Sequence, residues 1–247
     1  MGLKISVVTV CRNSSSSIKR NLISIKNQNY TNFEHVIVDG ASNDNTKEIV
    51  NRYKGTNTKW HSALDNGIYE AMNKGVGLCS GDIVGFLNSD DWFAHENVLS
   101  LIARTLDDSS VHACFGNLQI VNLKNDVHRT WLTGEYSRHK LAFGWMCPHP
   151  TFYVKREIFS QKGLFNEKYK ISADYEFILR CLSDPHFKTI YIDELLVVMS
   201  TGGVSAQAKN VILKFREDLL ACTSKVPYPL ITTLLKRFLK VRQLTKI

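Results

Sequence analysis

The chain has 247 residues, 44% of them hydrophobic, and its 31 lysines and arginines against 23 carboxylates give a formal net charge of +8. That length and apolar share supply a sizeable core without disulfide staples, and the basic excess calls for an anionic partner: a phosphate-bearing substrate, a nucleic acid or a membrane surface. No stretch reaches the roughly 18 uninterrupted apolar residues of a spanning helix, and "LKISVVTV" is too short for a signal peptide, so neither a membrane span nor export by that route is expected.

In chain order, "KISVVTV" (4–10) is β-branched and nearly all apolar, as a strand covered on both faces would be. "SSSSIKRNLISIKNQ" (14–28) opens on serines suited to capping and spaces Ile18, Leu22 and Ile25 as a helix. "FEHVIVDG" (33–40) reads as a second strand, with helices expected over 42–53 and 68–78. "GDIVGFLN" (81–88) is a further strand, and it runs into the adjacent acids Asp90 and Asp91. This rhythm predicts an α/β fold with an open, mostly parallel sheet, whose ligands bind beyond the carboxyl ends of the strands. Cys11, Asp39 and Asp90–Asp91 all fall at such ends.

After residue 110, 111–121 and 126–134 read as an antiparallel pair, followed by an irregular stretch over 135–150. A short strand over 151–155, a helix over 173–184 and strands over 188–193 and 195–200 come next. "TGGVSAQ" (201–207) has the composition of a loop, and helices are expected over about 207–224 and 229–244. The six cysteines, Cys11, Cys79, Cys114, Cys147, Cys181 and Cys222, form no C-x-x-C pair and are expected as reduced, mostly buried thiols of a cytosolic protein.

The candidate site residues each have a plain structural alternative. Asp39 in "VDGASNDNT" is either a turn residue or an acceptor for a nucleotide base or ribose. Asp65 fits an N-cap, and Lys74 fits a solvated helix position or a contact to donor phosphate. Asp90 and Asp91 are sharper, since two like charges after an apolar strand are costly to bury unless a cation meets them. Mg²⁺ or Mn²⁺ bound with a diphosphate would meet them, because such ions take carboxylate and phosphate oxygens together. His149 lies between two prolines in a loop. Asp174 and Glu176 follow Ser172 in the first turn of a helix, where the dipole favours acids anyway, and either could serve as a general base.

Taken together, "SVVTVCRN" (6–13), "VDGASNDNT" (38–46), "DNGIYEAMNKG" (65–75), "GDIVGFLNSDD" (81–91), "HPTFYVKREIF" (149–159), "SADYEF" (172–177) and "GGVS" (202–205) resemble, in order, the family-2 inverting glycosyltransferases of the GT-A fold. The closest likeness is to the bacterial O-antigen, capsule and exopolysaccharide subgroup, of the colanic-acid type. The resemblance implies a Rossmann-like catalytic domain over 1–206, with a nucleotide-sugar-binding half (1–110) and an acceptor half (111–206), then C-terminal helices over 207–247. It implies that Thr9, Val10, Arg12, Asp39, Asp65, Gly67, Lys74, Asn88, Ser89 and Asp90 hold a UDP-sugar. Asp91 would be the ligand of Mn²⁺ or Mg²⁺, in a D-x-D place where Ser89 stands for the family's more usual Asp. Asp174 would be the catalytic base, with Glu176 as a fallback. Trp92, His149 and Gly203 would lie near acceptor or diphosphate. The expected reaction is a single displacement that turns an α-linked donor into a β-glycoside on a lipid-diphosphate-linked saccharide. A sugar-1-phosphate nucleotidyltransferase would need a Gly-rich basic N-terminal loop, which "TVCRNSSSS" does not provide, and a catalytically inactive binding module would not need both Asp91 and Asp174.

The tail "PLITTLLKRFLKVRQLTKI" (229–247) carries five basic residues and no acid, with Leu230, Ile231, Leu234, Leu235, Phe238 and Val241 along one helical face. A basic amphipathic helix of this kind suits an anionic membrane surface, and would place the protein on the inner face of the cell membrane. The alternative is a helix packed on its own domain with a solvated outer face. A nucleic-acid partner is not expected, since charge alone would support it.

Overall fold

A computed structural model of the chain describes residues 2–122, 124–201 and 210–244. The "GGVS" block, and Gly203 with it, lies outside the described residues. The N-terminal half alternates β1 (Ile5–Cys11), α1 (Ile18–Lys26), β2 (Phe33–Asp39), α2 (Thr46–Tyr53), β3 (Thr58–Ser62), α3 (Ile68–Leu78) and β4 (Ile83–Phe86). The rest of the chain supplies β5 (Asp91–Phe93), α4 (Val98–Leu106), β6 (Ala113–Val121), β7 (Val127–Trp131), α5 (Arg138–Ala142) and a 3-10 turn at His149–Thr151. These are followed by β8 (Tyr153–Lys155), α6 (Glu157–Lys162), α7 (Ala173–Leu182), β9 (Thr189–Ser200), α8 (Val211–Cys222) and α9 (Pro229–Leu244).

Among the described residues the strands form one sheet in the order β3-β2-β1-β4-β8-β6-β9-β5, with β7 paired to β6. The expected parallel arrangement holds for β3-β2-β1-β4, while β8 runs antiparallel to both β4 and β6 and makes the sheet mixed. Every residue of β1 is buried, as a central strand requires. Its side chains alternate between two faces. Val8 and Val10 pack with Tyr69 and Met72 of α3 and Phe177 and Ile178 of α7. Ile5 and Val7 pack with Val98, Leu99, Ile102 and Leu106 of α4.

The order of strands forces the sheet to curl. Only residues 87–90 separate β4 from β5, yet β8, β6 and β9 lie between them in the sheet. In a flat sheet that separation is about 19 Å, at or beyond the roughly 17 Å reach of so short a link. The sheet therefore bends until its far edge comes back toward the end of β4, and the paired acids sit in that bridging bend.

Several elements differ from the sequence expectation. α4 went unpredicted although Val98, Leu99, Ile102 and Leu106 have helical spacing. Residues 188–193 and 195–200 join into the single strand β9, and the break is absorbed as a bulge where Phe115 pairs Tyr191 but Asn117 pairs Leu195. All six cysteines are free and buried.

Candidate active site

A cleft of about 810 Å³ opens at the carboxyl ends of β1 and β4. It brings together Val10, Arg12, Asp65, Gly67, Asn88, Ser89, Asp90, Asp91, His149 and Asp174 from the sequence-based set. Tyr69, Arg129 and Lys170 line it as well, and sequence reasoning missed all three.

Parallel register sets one wall of the cleft. Cys11 pairs with Asp39, and Asp39 with Ser62, so three strand ends lie in a row. Asp39 is buried and its carboxylate accepts from the Ser42 N–H (3.1 Å) and the Ser62 hydroxyl (2.6 Å). It stands behind the cleft lining. Asp65 does reach the cleft, and it crosses so close to Gly40 that a Cβ there would lie 2.5 Å from Asp65 Oδ2. Gly67, at φ 153°, occupies backbone space that side chains disfavour and starts α3 without a side-chain cap.

The bend after β4 makes the acidic end of the cleft. Asn21 of α1 fixes it, its amide donating to the carbonyls of Asn88 (2.9 Å) and Asp91 (3.1 Å). Ser89 donates to Ser14 at 3.0 Å. Burial raises the pKa of Asp90; burial and the neighbouring Asp90 charge raise that of Asp91 well above the ordinary carboxylate range. Asp91 Oδ2 accepts from the Asn88 amide at 3.2 Å, while Asp91 Oδ1 and Asn88 Oδ1 are buried oxygens with no donor.

Those orphaned oxygens fit a hard divalent cation. Oxygen-only ligands and a shortage of positive charge suit Mg²⁺ or Mn²⁺. Among the described residues no three His, Cys, Asp or Glu side chains gather as an ion site, so phosphate and water oxygens would have to complete the coordination.

Asp174, at the start of α7, lines the same cleft. The Tyr69 hydroxyl donates to Asp174 Oδ1 at 3.0 Å, and burial first, then the Asp174 charge, pushes the phenol pKa up so that it stays a donor. His149 stacks on Phe86 with ring centroids 5.4 Å apart, and burial pushes its pKa down against the pull of Asp174, leaving a neutral imidazole.

The start of α7 is held from outside the helix. Ser172 makes no side-chain cap to α7; its hydroxyl donates to Asp218 of α8 at 2.8 Å. Glu217 of α8 accepts the backbone N–H groups of Lys170 (2.8 Å), Ile171 (2.8 Å) and Ser172 (2.9 Å). Lys236 of α9 completes the cluster, 3.1 Å from Asp218. Thus the C-terminal helices position the segment that carries Asp174.

Besides Asp39, four expected site residues among those described lie off the cleft. Thr9 is buried, its hydroxyl donating to the Leu87 carbonyl at 2.8 Å and facing His35 Nε2 at 2.9 Å. Lys74 binds Glu70 (2.7 Å) and the Leu64 carbonyl (2.9 Å) on the outer side of α3. Glu176 pairs with Arg180 at 2.8 Å, which ties it to α6 rather than to the cleft. Trp92 alternates away from Asp91 along β5 and carries Arg20 over its ring at 4.2 Å.

Comparison with known proteins bears on this geometry. The "PGL/p-HBAD biosynthesis glycosyltransferase" of Mycobacterium tuberculosis is 27% identical over 240 residues, which are 96% of this chain and 91% of that protein. Among solved structures, S. aureus TarS 1-349 in complex with UDP-GlcNAc superposes with a TM-score of 0.69 at 18% identity, over 96% of this chain and 72% of that one. The mannosyltransferase PcManGT from Pyrobaculum calidifontis, in complex with GDP-Man and Mn2+, gives 0.67 at 18% identity over 98% and 71%. These structural neighbours share the GT-A arrangement that the motifs led us to expect. The sequence model described as "Glycosyl transferase family 2" matches residues 6–167, the stretch that contains β1 to β4 and the acidic bend. Matched over most of its length, and on the residues that meet at this cleft, the chain is a glycosyltransferase and belongs to glycosyl transferase family 2.

Proposed function

We propose that the protein transfers a hexose or N-acetylhexosamine from a UDP-sugar to a saccharide carried on a lipid diphosphate, with inversion, in the building of a bacterial surface polysaccharide of the O-antigen, capsule or colanic-acid kind. The observation that carries this reading is one cleft flanked by two acidic centres of different character. One is Asp90 and Asp91, where Asp91 and Asn88 each carry a buried oxygen with no donor; the other is Asp174, whose Oδ1 accepts from the Tyr69 phenol. The UDP-GlcNAc complex of TarS supports the choice of donor nucleotide, and the Mn2+ complex of PcManGT supports a metal.

Asn88, Asp90 and Asp91 would hold Mn²⁺ or Mg²⁺, which when bound supplies positive charge against the donor diphosphate. Arg12 and Lys170, both lining the cleft, add cationic charge of the chain's own. Asp174 accepts the proton of the acceptor hydroxyl as that oxygen attacks the anomeric carbon from the face opposite the leaving diphosphate. Tyr69 keeps one Asp174 oxygen engaged, so that the other can be turned to the incoming hydroxyl. One displacement needs no carboxylate nucleophile, and a β-linked product follows from an α-linked donor.

The test is the anomeric configuration of the product, read by NMR, together with Asp174→Asn. The β-anomer, and a loss of turnover of about 10³-fold with UDP affinity kept, are expected. An α-linked product, or near-native turnover of Asp174→Asn, overturns the assignment.

A further inference from the structure

α9 packs on the domain by its polar side. Thr232 and Thr233 are buried, and the Thr232 hydroxyl donates to the Ala142 carbonyl at 2.7 Å. Gly144 abuts the helix so closely that a Cβ there would lie 2.4 Å from the Lys236 nitrogen. Lys236 itself turns inward, 3.1 Å from Asp218 and 3.0 Å from the Tyr175 ring centroid.

At about 3.6 residues per turn, the side opposite these contacts carries Leu230, Ile231, Leu234 and Phe238. They are 53, 54, 53 and 65% exposed, and α8 adds Ile212 at 75% and Leu220 at 61%. An amphipathic helix ordinarily buries its apolar face. Here the apolar face is left outside, and apolar surface of this kind marks a site of interaction.

Charge identifies the occupant. Among the described side chains of α8, α9 and their link, Lys214 and Lys236 turn to Asp218, which leaves Arg216, Lys225 and Arg237 at least partly exposed, and the only acids are Glu217 and Asp218. Both acids are buried, turned to the start of α7 and to Lys214 and Lys236. The outer face therefore combines apolar side chains with basic ones and presents neither of the segment's acids. A second copy would bring the same cations against these, because a twofold contact joins like surfaces. An anionic bilayer answers both features, taking the apolar groups into its acyl boundary and the cations at its headgroups. Among the described residues no helix is long and apolar enough to cross a membrane, so the fitting mode is docking in the interfacial plane.

We infer that the outer face of α8 and α9, centred on Leu234 and Phe238, docks the protein on an anionic lipid surface. The test is co-sedimentation of the full chain with vesicles of phosphatidylcholine and phosphatidylglycerol, against phosphatidylcholine alone. Binding is expected only to the anionic vesicles, and it should fall when NaCl is raised from about 0.1 to about 1 M. Leu234→Glu and Phe238→Glu should each weaken it by about tenfold, with unchanged melting midpoints because both side chains are exposed. Absence of binding to anionic vesicles, or equal binding by both variants, overturns the proposal. So does a dimer in sedimentation that these substitutions dissociate, since the face would then belong to a second copy.

Discussion

Thr9 shows how a residue can be rightly noticed for the wrong reason. Its strand-end position is that of a nucleotide contact, but its hydroxyl is bonded to Leu87 and faces His35. The pair braces β1 against β2 and β4. Burial lowers the pKa of His35 from 6.5 to about 3, so the ring is neutral when folded. The unfolded chain then binds the extra proton first, and this part of the stability is complete above about pH 6.5 and lost as the pH falls toward 3. Urea unfolding at pH 5 should therefore show a loss of about 2 kcal/mol from this group relative to pH 7. His35→Gln should flatten the slope; an unchanged slope would remove His35 as its source. Asp174 was legible because it stands in a recognisable block. Tyr69, 105 residues away, was not, since nothing local in "GIYEAM" says that its hydroxyl points at Asp174. Tyr69→Phe should lower turnover by about tenfold and leave UDP affinity unchanged, measured by initial rates and calorimetry. Equal rates would leave the phenol with a packing role alone.

At the scale of elements, α7 depends on α8 for its start. Three backbone N–H groups are satisfied by Glu217, a residue that the sequence reading did not single out. Glu217→Ala leaves these donors without a partner and should cost about 3 kcal/mol in denaturant titration. Turnover should fall by about ten- to a hundredfold through displacement of Asp174, with donor affinity held. Loss of donor affinity with turnover kept would contradict the positioning role. The sheet itself is sensitive to bulk. A Cβ on Gly85 of β4 would lie 2.1 Å from the buried Tyr153 ring, whereas one on Gly77 of α3 meets nothing within 4 Å. Gly85→Ala should destabilise by about 2 kcal/mol and Gly77→Ala should be neutral or stabilising. Periodicity found the bounds of α3 and the start of α9 and came near the bounds of α7, because their apolar spacing is regular. It split β9, whose bulge depends on pairing with β6 rather than on its own composition.

At the scale of the molecule, the strand order explains why two acids follow an apolar strand. Residues 87–90 must carry the chain from one part of a curled sheet to the other, and that crossing is the floor of the cleft. The sequence pointed to the carboxyl ends of the strands and to the paired acids. It held no sign of β8 entering antiparallel, or of the C-terminal helices turning their polar side inward, since both arise from contacts between distant segments. The central claim is that Asp90 and Asp91 bind a divalent cation together with a uridine diphosphate. Calorimetric titration of UDP into the full chain, with and without Mn²⁺, tests it most directly, using Asp91→Asn as the comparison. The account predicts UDP binding that Mn²⁺ strengthens by about tenfold or more in the native chain and leaves unchanged in Asp91→Asn. Equal UDP affinity with and without Mn²⁺ in the native chain would contradict it.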